Sequence, residues 1–456
     1  MMMRIIGLVL LALAALTGSR MPEHSPRLTL AEQLNPGKAL DAINMTMVHD
    51  VVSPPVAGRY YAYCMLGAYC LVATHNQGLP PLPRLVQSFP ATLRLDTIKA
   101  RYDYQIAAYY SILETARLLL PSGETLADEQ QEFRQALAKR GISSSVLAQS
   151  VRVGQLAAAA VAGFSKTDRY SRLSALKRYT PLKDEGSWYP TPPAYLEAVE
   201  PNWKTVRPMV IDSADEFKPA PLIPFSKDTA SAFYHQVQAV YKASKRLTEE
   251  QVVMAQFWDC NPFAVSTSGH MAIGFKKISP GGHWMNIAAL VSRQANLGFD
   301  KTVVVLCAEG LTLMDAFISC WEAKYFTNRI RPETYINRYM DVKWQPVLQT
   351  PPFPEYTSGH AVISAASAEL LTYLLGEKFA YTDDTEIPFG SGKRAFTSFR
   401  QAAGEASISR FYGGIHYLES CTKGSAQGQR IGRFVVAKLQ STGIKPLSNK
   451  IKAGSN

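Results

Sequence analysis

The chain is poor in cysteine, and what it has is not arranged for zinc: the six residues at 64, 70, 260, 307, 320 and 421 include no C-x-x-C pair and no finger-like spacing. A chain of 456 residues does not need a disulfide framework, and most of these cysteines stand in apolar sequence that suits buried free thiols. Strand-like alternation is scarce, and no segment repeats at a fixed period, which excludes a solenoid. The net charge is +11, yet Lys and Arg are scattered rather than gathered into an arm or stripe. No nucleic-acid module is visible, so the charge reads as a solvated basic surface. Beyond residue 20 no run is expected to be long and apolar enough to cross a bilayer.

What is present is apolar and helical. Hydrophobic residues make up 47% and aromatics 10%, enough for a packed core in one large domain or two. The start pairs Arg4 with an apolar run from Ile5 to Leu16 and then small polar residues, the layout of a secretory signal peptide over 1–20. Ser19 stands where a lipoprotein signal carries its lipidated Cys, so the expectation is export without a lipid anchor, to the periplasm or beyond. Apolar residues at three and four spacing predict helices over 101–120, 128–141, 143–164, 283–298 and 300–326. A long irregular stretch from about 177 to 228 separates a helical half at 21–228 from one at 229–442, with a flexible tail at 443–456. The fold class is all-α, a multi-helix bundle, as two bundles packed side by side.

One tetrad occurs twice. "STSGHMAIG" at 266–274 is echoed by "YTSGHAVIS" at 356–364, and a helix opening on Ser-Gly offers free backbone N–H groups to an oxyanion. Only the second copy has cations in attendance. Upstream, Lys324 and Arg331 stand seven residues apart, a spacing that predicts one helix face, with Pro332 ending that helix. Downstream, Arg410 closes a helix, Gly413 and Gly414 turn the chain, and His416 opens the next. Around the first copy, the position matching His416 is Phe299, and "WKTVRP" spaces its cations too closely. His270 is therefore expected to be structural and His360 chemical.

Lys324 with Arg331-Pro332, then Ser358-Gly359-His360, then Ser409-Arg410 with His416, together resemble the three-part signature shared by vanadium-dependent haloperoxidases and the related acid and phosphatidic acid phosphatases. "FWDCNPF" (257–263), "ISPGGHW" (278–284), "PPFPEYTSGH" (351–360) and "FYGGIHY" (411–417) extend the similarity toward the bacterial, iodoperoxidase-like branch. The resemblance implies a vanadate cofactor in the C-terminal half, with His416 as the axial nitrogen ligand. Lys324, Arg331 and Arg410 would neutralise its oxygens, Ser358 and the Gly359 N–H would add donors, and His360 would act as acid and base. Lys324 would also polarise hydrogen peroxide. The implied activity is oxidation of halide, iodide favoured and bromide possible, to hypohalous acid.

Trp321, Phe353 and, more weakly, Phe263 are implied as the halide pocket; core packing is the other reading of each. Asp259 is a candidate carboxylate behind the cage, positioning Arg410 or His360, with a helix-end cap as the alternative. Two positions depart from the family pattern. Thr357 replaces a common Pro, and Ser420 stands where an Asp often follows the axial His, leaving Glu419, Ser420 or a backbone carbonyl to orient His416. Two other functions remain open at this point. One is an acid phosphatase with His416 as phosphorylated nucleophile; the other is an exported oxyanion-binding protein without turnover.

Overall fold

A computed structural model describes residues 34–90, 100–268, 271–274 and 277–447. The proposed signal segment at 1–20, His270, and the tail from 448 onward lie outside the described residues. All six cysteines are free, and five of them are buried.

Helices begin where the sequence supplies caps. Asn35 accepts from the Gly37 N–H ahead of α1 (Pro36–His49), and α2 is Pro54–His75. Asp103 accepts from the N–H groups of Gln105 and Ile106 at the head of α3 (Tyr104–Leu119), followed by α4 (Leu126–Lys139) and α5 (Ser144–Ser165). No α-helix then occurs until α6 (Ala232–Ser244), which is followed by α7 (Glu249–Phe257) with a Thr248/Gln251 capping box. A short antiparallel hairpin, β1 (Val265–Ser268) and β2 (Met271–Gly274), precedes α8 (Pro280–Gln294), α9 (Phe299–Thr327), α10 (Pro332–Tyr339) and α11 (Gly359–Leu375). A second hairpin, β3 (Tyr381–Asp383) with β4 (Arg394–Phe396), leads to α12 (Phe399–Tyr412) and α13 (Leu418–Thr442). The expected all-α architecture is what forms; the described strands are two isolated pairs.

The centre of the molecule is α9, buried continuously from Thr302 to Lys324. It packs against α2 from the N-terminal half and α11 from the C-terminal half, and one hydrophobic core runs through both. Each Val, Leu or Phe fully buried along it contributes roughly 1.5–3 kcal/mol relative to exposure. The irregular stretch is fastened to this helix rather than left as a free linker. Asp315 of α9 accepts from the backbone N–H groups of Met209, Val210 and Ile211 at 2.7, 2.7 and 2.9 Å.

The expectation that nothing after residue 20 is long and apolar enough to span a bilayer is corrected. Among the described residues, α9 and the helical run Ser144–Ala175 both reach that length and apolarity. The apolar window of α9 is wholly buried, so its hydrophobicity is spent on the protein core. In α5 the same composition is split between a buried face, including Val153, Ala157 and Val161, and an outward one with Arg152 and Gln155.

Helices α11 and α13 approach until their backbones meet. A Cβ at Gly428 would lie 2.1 Å from the Val362 carbonyl oxygen, and one at Gly432 would lie 2.6 Å from that of Ala366. Gly424 faces Ser358 in the same way, with a Cβ 3.2 Å from its carbonyl. Three glycines at a spacing of four thus form a groove that seats α11.

Candidate active site

Three chain reversals converge on one buried point. The first follows α9. Lys324 lies in its last turn, but Arg331 does not share its helical face as the spacing predicts, because Asn328 takes a left-handed conformation (φ 46°) and ends the helix early. Arg331 is instead the extended residue ahead of α10, and Pro332 opens that helix rather than closing α9. The second reversal places Ser358 as N-cap of α11, with Gly359 and His360 as its first residues. The third runs from Arg410, in the last turn of α12, through Gly414 at φ 77° to His416 and into α13.

His416 has a defined tautomer. Arg331 Nη1, which can only donate, lies 3.1 Å from His416 Nε2, so Nε2 carries a lone pair. Nδ1–H then donates to Glu355 Oε1 at 2.9 Å. Burial, with Arg331, Lys324 and Arg410 nearby, holds this imidazole well below its usual range, and it is neutral. His360 is depressed in the same direction by burial first and then by Arg410 and His416, and its buried Nε2 has no hydrogen-bond partner.

The cations are crowded. Burial, with Arg331 adding, pushes the Lys324 ammonium down to about 8, and burial lowers Arg331 to about 10. Arg410 is lowered by the same cause. Lys324 Nζ donates to the carbonyls of Pro354, Glu355 and Thr357, which occupies all three of its protons. Arg331 donates to the carbonyls of Phe353 and Ile415, while its buried Nη2 has no partner. Arg410 donates to Ser409 Oγ and the Ala255 carbonyl. An unpartnered guanidinium N–H in a buried site costs roughly 1–3 kcal/mol, which an oxyanion would recover. A neutral imidazole lone pair, a guanidinium with a spare donor and an unpartnered second imidazole fit vanadate.

A small cavity of about 40 Å³ is lined by Trp321, Phe353, Gly359, His360, Arg410 and His416, among others. The Trp321 and Phe353 rings stand 5.0 Å apart and close one side. A larger cavity, about 700 Å³ between Tyr170 and Asn202, touches none of the cage residues. Phe263 does not line the 40 Å³ cavity, contrary to expectation: it is only half-buried, and its carbonyl accepts from Gln349, which does line it. Asp259 does line it, but among the described residues its carboxylate pairs with Lys277 and makes no hydrogen bond to Arg410 or His360. Thr357 keeps its hydroxyl satisfied by donating to Gln427 at 2.7 Å.

The residue that orients His416 is Glu355, which sequence reasoning missed. Its carboxylate also accepts from the Tyr417 N–H at 3.0 Å and from Ser420 Oγ at 2.7 Å. Ser420, in the position where an Asp is common, therefore holds the carboxylate instead of supplying it. Glu419 faces away, paired with Arg329 at 2.8 Å and with Lys423. The available signal was a lone acidic residue inside the apolar, Pro-rich run "PPFPEYTSGH".

The model of the VCPO second helical-bundle domain matches residues 304–443. No curated protein matches the chain. A crystal structure described as the first bacterial vanadium-dependent iodoperoxidase is 40% identical with a TM-score of 0.83, covering 90% of this chain and 96% of that one. Holo and apo structures of a bacterial vanadium-dependent chloroperoxidase share the fold at 15% and 16% identity, with TM-scores of 0.62 and 0.63. Each covers 86% of this chain, and the matches extend over 94% and 95% of theirs. With that extent of similarity and a cage suited to vanadate, the chain belongs to the vanadium-dependent haloperoxidases, which oxidise halide with hydrogen peroxide.

Proposed function

We propose that this enzyme favours iodide, with bromide as a slower substrate, and that it works after export from the cytoplasm. One observation carries the halide reading: His360, the proposed acid-base group, and His416, the proposed vanadate ligand, open onto a cavity walled by Trp321 and Phe353. An aromatic wall suits a large, weakly hydrated halide better than a small, strongly hydrated one, and iodide is also the easiest to oxidise. The 40% identical relative is an iodoperoxidase, which agrees. Export rests on the Arg4 and Ile5–Leu16 pattern of the N-terminus.

Held by His416 Nε2, vanadate would serve as a Lewis acid that activates hydrogen peroxide toward halide without changing oxidation state. The chain's own groups do the rest. Arg331 Nη2 and Arg410 would hold the oxyanion with fixed positive charge, and Ser358 Oγ–H would add a neutral donor. Lys324, whose three protons are taken by carbonyls, would add its buried positive charge beside them. His360 Nε2, neutral and unpartnered, takes a proton from entering peroxide and returns it to the departing oxygen. Peroxide, halide and one proton give hypohalous acid and water. Glu355 keeps the His416 lone pair directed inward throughout.

The deciding experiment is halide-resolved kinetics on vanadate-reconstituted protein, following triiodide formation and its bromide counterpart. Iodide turnover well above bromide is expected. Faster bromide turnover would overturn the preference, and hydrolysis of p-nitrophenyl phosphate without peroxidase activity would return the phosphatase reading. Export is tested by N-terminal sequencing of the mature protein.

A further inference from the structure

We propose that Cys260, His283 and Glu386 bind one divalent transition-metal ion, zinc above others, beside the halide cavity, which Cys260 also lines. They are the one group of such donors that converges among the described residues, with Cys260 Sγ, His283 Nδ1 and a Glu386 oxygen all within 4.8 Å of one another. All three side chains are buried. Two of the three separations match the edges of a coordination tetrahedron. Sγ to Nδ1 is 3.5 Å and Nδ1 to Glu386 Oε1 is 3.3 Å. A tetrahedral ion with bonds of about 2.3 Å to sulfur and about 2.0–2.1 Å to nitrogen and oxygen gives edges of roughly 3.5 and 3.3 Å.

A second, independent observation points at a ligand. Glu386 Oε1 is buried, aimed into the cluster, and takes no hydrogen bond despite its closeness to the ring. In a protein interior such an oxygen is satisfied by a partner, and a cation supplies one. The far side of the imidazole is already prepared. His283 Nε2–H donates to Asp383 Oδ2 at 2.8 Å, so Nδ1 is the nitrogen a metal would take once its proton is displaced, and Asp383 Oδ1 is held by the N–H and hydroxyl of Thr385 at 3.0 and 2.7 Å. This is the carboxylate–histidine arrangement that fixes metal-binding imidazoles. Trp258 stacks on the ring at 4.6 Å and fixes its plane.

Charge and softness select the ion. A thiolate and a carboxylate together neutralise two positive charges, and a sulfur–nitrogen–oxygen donor set favours zinc over calcium or magnesium. The nearby ammonium of Lys277 is committed to Asp259. Three protein donors leave one position for water. Binding would release to solvent the thiol proton of Cys260 and the Nδ1 proton that Glu386 and Asp383 favour on His283, and would join three segments that are distant in sequence: the turn after α7, the first turn of α8 and the turn after β3.

The test uses the full chain, purified without chelators, loaded with vanadate and exposed to micromolar zinc or cobalt(II). About one zinc per chain should survive gel filtration, and cobalt(II) should give the charge-transfer absorption of a thiolate ligand. Cys260→Ser and Glu386→Gln should each weaken retention by about tenfold or more. His416→Ala should lose vanadium and keep zinc, which separates failure here from failure of the vanadate assignment. Wild-type protein that holds neither metal, or variants that retain it fully, would overturn the proposal. If a variant does not fold by circular dichroism, the wild-type cobalt spectrum decides: no thiolate band means no site.

Discussion

Replacing Glu355 by Gln removes one charge from the site while keeping its shape. The amide oxygen still accepts from His416 Nδ1–H and the Tyr417 N–H, and the NH₂ faces Ser420 Oγ, which can accept it. Two effects follow. Weakening the partner behind a metal-bound imidazole typically lowers affinity 10–100-fold, about 1.4–2.8 kcal/mol, so vanadate should bind that much less tightly. The second effect concerns Lys324, whose ammonium burial pushes down to about 8 while the Glu355 charge pulls it back up. In wild type the charged form is lost as pH rises through about 8, and vanadate affinity should fall with it. Without the Glu355 charge that limb should move to lower pH. The assay is titration of vanadate-free enzyme with orthovanadate at several pH values, read by iodide oxidation, with thermal unfolding on the same samples. Glu355→Ala is the poorer probe, because it leaves His416 Nδ1–H, the Tyr417 N–H and the Ser420 hydroxyl buried without their acceptor, at about 1–3 kcal/mol of stability each. A folded Glu355→Gln enzyme with wild-type affinity and an unmoved alkaline limb would refute the positioning role.

His416→Ala should abolish vanadium retention and peroxidase activity together while weak, salt-sensitive anion binding persists on the arginines; full activity would exclude it as the axial ligand. His360→Ala should lower turnover by roughly 10²–10⁴-fold, whereas His270→Ala should leave the reaction intact apart from stability, and equal losses in folded variants would show that the first "TSGH" is not structural. Trp321→Phe, Trp321→Arg and Phe353→His should shift the ratio of iodide to bromide turnover more than vanadium content, since neither ring can neutralise an oxyanion; an unchanged ratio in all three would leave the rings as packing alone. Gly428→Ala drives a methyl group into the Val362 carbonyl and should cost at least about 1–3 kcal/mol, lowering the melting temperature and vanadate affinity together; a wild-type melt would show that the helices can part there at little cost.

The five helices read from the sequence were legible because their apolar period of three to four is long and the caps are local: Asp103 and Ser143 each do by hydrogen bond what their position suggests. That the proposed cage residues come together was legible because they lie at three helix ends. What was not legible depends on folding in three dimensions. Seven residues between Lys324 and Arg331 imply a shared face only if the helix continues, and a single left-handed Asn328 decides otherwise. Glu355 reaches His416 across 61 positions of sequence, a pairing no local spacing reveals. Asp259 lies beside the site, but Lys277 reaches its carboxylate. The apolarity of α9 looks the same in sequence whether its surroundings are lipid or protein.

The glycine groove between α11 and α13 bears on how such an enzyme can diversify. Ser358 and Gly359 stand at the front of one helix and His416 just ahead of the other, and the gap between them is set where backbone touches backbone. A side chain at Gly428 would force that gap open, because a Cβ there would lie 2.1 Å from the Val362 carbonyl oxygen. On the proposed reading, exchanging one or two rings of the aromatic wall would retune the halide while this backbone contact keeps the residues proposed to hold the cofactor in place.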